Sequence, residues 1–150
     1  MRLPEVKVEA FESYINWAYS DTLVAKSNVS LNIDMMVDLY LLGDKLDDIR
    51  LRNKTLKALH SYAIIDKLQP SAKNIEDIWH GTPPNSLLRK WAVDIVISRL
   101  GRKCFKDNLT AYPSESVQEL ALKALQQIPT IAPEEFQAKL PLYVEAEEEI

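Results

Sequence analysis

The chain has 150 residues, 47% of them apolar and 27% charged, with a formal net charge of −4. That is the length of one ordinary domain, with enough apolar material for a core. No basic excess exists to neutralise phosphates, which weighs against a nucleic-acid partner. Apolar runs such as Leu39 to Leu42 fall far short of the roughly 20 residues of a membrane span.

Only three glycines occur, Gly43, Gly81 and Gly101, and no Asn-Gly or Asp-Gly pair is present. Tight β-hairpins depend on such residues, so the expected class is all-α or nearly so. We expect an irregular array of about six helices, with at most one or two very short strands. The first helix should run from Val8 to Tyr19, with Phe11, Tyr14, Ile15, Ala18 and Tyr19 as its stripe and Trp17 on a second side. Thr22 to Ala25 reads as a short extended segment.

Asn32 is the expected cap of a second helix, central to the fold, through Met36, Val37, Tyr40 and Leu41. Asp47 or Asp48 should cap a third, running to Ile65 through Ile49, Leu56, Leu59 and Ala63. After Pro70-Ser71 a short helix carries Ile75, Ile78 and Trp79. His80-Gly81-Thr82-Pro83-Pro84 ends it, because consecutive prolines lack N–H donors and constrain the residue before them. Asn85 or Ser86 caps a fifth helix, Leu87 to Arg102. A sixth begins near Ser114 with the cleanest stripe of the chain: Val117, Leu120, Ala121, Ala124, Leu125 and Ile128. Pro133 to Phe136 adds a last turn, and Glu145 to Glu149 reads as a solvated acidic tail.

Residues suited to catalysis are sparse. His60 and His80 fall in no metal-binding spacing, and three dispersed glycines make no phosphate-cradling loop. His80 reads as a helix-end residue. The cluster Asp44, Asp47 and Asp48 lacks the ligand alternation of a calcium loop, and Asp47 and Asp48, at a helix start, read as caps. Tyr14, Trp17, Tyr40, Trp79 and Trp91 are spaced as core residues. The expectation is no enzyme, no cofactor and no metal. The single cysteine, Cys104, cannot form an internal disulfide, and the first residues carry no signal-peptide pattern. An intracellular protein, cytoplasmic or nuclear, is expected.

Leu3-Pro4-Glu5 followed by Ala10-Phe11-Glu12-Ser13-Tyr14-Ile15-Asn16-Trp17-Ala18-Tyr19 resembles the end of the central strand and the next helix of a BTB/POZ domain. Val37 to Leu46 and Ile49 to Asn53 are similar to that domain's paired C-terminal helices. Thr82 to Lys90 with Val93-Asp94, and Pro113-Ser114-Glu115 with Leu120-Ala121, resemble the helical extension of fungal-type members. The resemblance covers roughly residues 3–128. It implies a partial BTB/POZ unit over 1–65 and an extension over 70–128; the short helix and acidic tail over 129–150 follow it.

The resemblance also implies a non-enzymatic protein–protein interaction module with protein partners, itself included. By family analogy it points to adaptor work for a cullin-type ubiquitin ligase. The first half of such a domain has no counterpart upstream of Leu3, and the hydrophobic-x-acidic motif of many cullin adaptors belongs to that half. A generic helical scaffold, or a truncated fragment without adaptor function, is the alternative. If the N-terminal half is missing, an exposed apolar patch should remain on the first two helices, with Phe11, Tyr14, Ile15 and Trp17 as interaction residues.

Overall fold

The structure, a computed structural model, describes residues 7–20, 32–65, 70–99, 109–127, 134–135 and 138. Among these residues the longer α-helices are, in order, α1 (Val8–Ser20), α2 (Ile33–Lys45), α3 (Ile49–Ile65), α4 (Ala72–Gly81), α5 (Leu87–Arg99) and α6 (Ser114–Gln127). A 3-10 turn, Leu109–Ala111, precedes α6. Among the described residues there is no strand, and the class is all-α. The extended segment expected at Thr22 to Ala25, and the residues of α5 expected beyond Arg99, lie outside the described residues.

Local chemistry sets the helix starts. The Asn32 side chain accepts from the Met35 N–H at 2.9 Å, and Asp48 accepts from the Leu51 N–H at 3.0 Å. Each satisfies one of the N–H groups that a helix start leaves without an intrahelical partner. Ser71 and Asn74 form a reciprocal capping box at α4, and Ser86 accepts from the Leu88 N–H at 3.2 Å. Between the two expected candidates at each site, Asp48 and Ser86 make the cap. Near the C-terminus, Glu134 and Glu135 are helical and the Ala138 N–H donates to the Glu134 carbonyl at 3.0 Å, where a last turn was expected.

The principal core joins α2 (Ile33, Met36, Val37, Tyr40), α3 (Leu59, Ala63), α4 (Ile75, Ile78, Trp79), α5 (Leu88, Ala92, Val93, Ile95, Val96), Tyr112 and Leu120 of α6. One apolar cluster therefore takes side chains from both sides of Pro70. Helix α2 is central, as expected, and buries a second side through Leu39 and Leu42. Those two residues, with Leu51 of α3 and Ala10 and Trp17 of α1, are buried outside the principal cluster. α2 and α3 form a helical hairpin across a tight turn at 46–48.

Three expected stripes are corrected. In α3, Leu51 and Thr55 are buried alongside Leu59 and Ala63, whereas Ile49 is 60% exposed. In α6, Leu120 is buried and Val117 packs on the core, but Ala121 is exposed and Leu125 is 65% exposed. Toward its end α6 meets α5 only through an open, partly polar groove with the Lys123–Asp94 pair at 3.6 Å, so a stripe of the right period is buried only over its first half. In α1 the stripe residues Phe11, Ile15 and Ala18 are exposed and Tyr14 is half-buried. The face set against α2 is instead Ala10, Ser13 and Trp17, where two small residues let the backbones approach and one large ring anchors them.

Candidate functional site

Helix α1 is the first candidate surface, because its two faces differ so much in burial. Ala10, Ser13 and Trp17 are buried, while Val8, Phe11 and Ile15 are 68%, 37% and 39% exposed. Tyr14 is half-buried between them, 6.3 Å from the Phe11 ring and stacked 6.1 Å from the Trp17 ring. Arg50 of α3 lies over the Trp17 ring at 5.9 Å, a cation–π contact that ties α1 to the hairpin. Of the four residues expected to meet a partner, Phe11 and Ile15 are exposed and Tyr14 borders them. Trp17, only 6% exposed, is an anchor of α1 rather than part of its open face. The second helix adds little to the patch expected of it: Met36, Val37, Leu39, Tyr40 and Leu42 are all buried, and Leu41 is half-buried. Its apolar faces are covered by α1, α3 and α4.

Beside the start of α1 runs a groove of about 390 Å³, floored by Ala10, Leu41 and Leu42. Its rim is ionic. Lys7 donates to Asp38 at 2.8 Å and Lys73 to Asp77 at 3.2 Å. The Asp38 carboxylate, through its hydrogen bond and then its charge, holds the Lys7 ammonium above the usual lysine range, with desolvation opposing. Lys45 and His80 complete the rim at the C-terminal ends of α2 and α4, and the Lys45 charge complements the last carbonyls of α2. His60 is exposed on α3. Asp48 caps α3, Asp44 accepts from Arg52 at 2.8 Å, and the Asp47 side chain is 91% exposed. Cys104 lies outside the described residues. Among those described, no group of three or more His, Cys, Asp or Glu is placed to hold a metal ion, and no helix is long and apolar enough to cross a membrane.

Among the described residues the most heavily bonded polar centre is one that the sequence pattern does not single out. Arg89 of α5 is 3% exposed, and its guanidinium is filled on all sides. Nε donates to Thr82 Oγ1 at 3.2 Å, and Nη2 donates to the carbonyls of Trp79 at 2.8 Å and Thr82 at 2.6 Å. Nη1 reaches Glu115 at 3.0 Å and Glu119 at 3.3 Å on α6, and the group lies 5.3 Å from the Trp79 ring centre. Glu119 also accepts from Trp79 Nε1 at 3.2 Å. Its signal was a single arginine in the apolar context Leu87-Leu88-Arg89-Lys90-Trp91, directly after a loop with two prolines whose carbonyls need donors.

No family model, curated protein or solved structure matches this chain.

Proposed function

We propose that the chain is a non-enzymatic protein–protein interaction module of BTB/POZ type, and that it engages its partner through the outward face of α1. The observation that carries this reading is the asymmetry of α1. A helix docked by Ala10, Ser13 and Trp17 leaves Val8, Phe11 and Ile15 in water. Fully burying a Phe or Ile side chain from a fully exposed start gains about 1.5–3 kcal/mol. Phe11 and Ile15, 37% and 39% exposed, have only part of that left to gain, so covering this face favours association without by itself offsetting the cost of bringing two molecules together. A helical hairpin of α2 and α3 set beside α1 supports the resemblance in particular, because the paired C-terminal helices of that family follow the same order. The partner is a protein, and the resemblance makes a second copy of the chain the first to test. Adaptor work for a cullin-type ligase rests on the resemblance alone.

Sedimentation velocity on the full chain, over about two decades of concentration, tests this reading. The wild type should shift from monomer toward dimer as concentration rises, and F11S/I15S should stay monomeric with unchanged helical content. A wild-type chain that remains monomeric throughout and binds no hydrophobic dye overturns it in favour of a self-contained helical scaffold.

A further inference from the structure

We propose that α6 is a displaceable lid, and that the site it covers, built from Arg89, Trp79 and the Thr82 loop, takes an acidic amphipathic helix of a partner protein in its place. Three of Arg89's five hydrogen bonds go to Trp79 and Thr82, at the end of α4 and in the loop that follows. Those bonds hold the guanidinium whether or not α6 is present. Only Nη1 faces α6, so lifting that helix leaves a positioned cation with one free edge. Trp79 Nε1 points at the same Glu119 carboxylate and adds a second fixed donor. Between them they read two acids one helical turn apart, Glu115 and Glu119, followed by a leucine, Leu120, which enters the core. A buried cation with preset donors selects for carboxylate because an apolar occupant leaves the charge unpaired.

Apart from its two acids, Leu120, the half-buried Val117 and the Lys123–Asp94 pair at 3.6 Å, α6 has less fastening than the helices beneath it. Ser116 and Leu120 are its only buried residues, against seven in α2, and Leu122 and Leu125 stand 64% and 65% exposed. Elements with few buried apolar contacts open at lower free energy than the core they cover. The helix therefore occupies in cis a groove whose chemistry is set by α4 and α5. This surface is built from other elements than the open face of α1, so either proposal can fail without the other.

A tethered helix competes at an effective concentration in the millimolar range, so a free peptide gains entry only when the tethered one is weakened. The test uses the full chain and a labelled peptide with the sequence Pro113 to Gln127, followed by fluorescence anisotropy. In the E115Q/E119Q protein the cis contacts lose their charge. It should bind the wild-type peptide about tenfold more tightly than the parent protein does, as expected for loss of a charge-assisted hydrogen bond. A peptide carrying the same two glutamines should bind that variant at least about tenfold more weakly than the wild-type peptide. Because the protein is identical in this second comparison, a folding defect cannot produce the difference. Equal binding of the two peptides, or no gain over the parent protein, overturns the proposal.

Discussion

Asp47, in the turn between α2 and α3, has φ of 53°, the one positive value found at a non-glycine residue among those described. The left-handed region brings Cβ against the carbonyl that follows and costs an ordinary residue about 1–2 kcal/mol; Asp and Asn bear it best. The hairpin needs this geometry, since the Asp48 N–H returns to the Gly43 carbonyl at 2.8 Å. The Asp47 side chain reaches Arg52 at 3.5 Å, but at 91% exposure that ion pair contributes little. D47V and D47G both lose the ion pair and differ only in backbone tolerance. Urea midpoints should place D47G within about 0.5 kcal/mol of the parent and D47V about 1–2 kcal/mol below it. Equal midpoints for the two would show that backbone strain at this turn is not the controlling term. The sequence placed a capping acid here but not the handedness of the turn, because Asp47-Asp48 offers two caps and only the path of the chain chooses between them. Arg89 was hidden for a similar reason: its acceptors come from residues up to 30 positions away.

At the scale of elements, helix starts were legible and helix faces less so. Asn32, Asp48, Ser71 and Ser86 act on N–H groups two or three residues on, so the whole interaction is written in a few consecutive letters. A face depends on what lies opposite. The apolar period of α1 was read correctly, yet the buried side is the one with Ala10 and Ser13, because close approach to α2 favours small residues there. Two of the contacts that hold α1 differ in magnitude. The Lys7–Asp38 pair joins side chains 56% and 18% exposed, which limits it to about 0–1 kcal/mol. Truncating a buried tryptophan costs about 3–5 kcal/mol. Hydrogen exchange should therefore show W17A stripping protection from the α1 amides while α2 to α4 keep theirs, with K7M changing α1 only modestly. The reverse order of effects would make the ion pair the true fastening. The raised Lys7 pKa has a definite sign. Its contribution is complete below the unfolded value of 10.5 and fades as pH climbs through the higher folded value, so alkali should loosen α1 slightly, and K7M should abolish that dependence.

Over the whole molecule, the sequence divides at Pro70 while the core does not. Composition and the paucity of glycine made the all-α class legible, and the prolines at 70, 83 and 84 marked real breaks between helices. A break in the chain is a local property, however, and cooperativity follows the packing. Leu59 and Ala63 of α3 share one cluster with Ile75 and Ile78 of α4 and with Leu88 and Ala92 of α5. Asn74, 4% exposed, adds a buried polar tie by donating to Asp34 on α2 at 2.6 Å. The helices from α2 to α5 should therefore unfold as one unit, since removing either half opens the same cluster to water. Leu88 is fully buried on the far side of Pro70 from α2, so L88A tests the coupling directly. The substitution should cost about 2–5 kcal/mol. Exchange-protected amides in α2 and α3 should lose as much protection as those in α5. A loss confined to α4 and α5, or a second denaturation step that leaves α2 and α3 folded, would mean that the chain folds in two independent parts divided near Pro70.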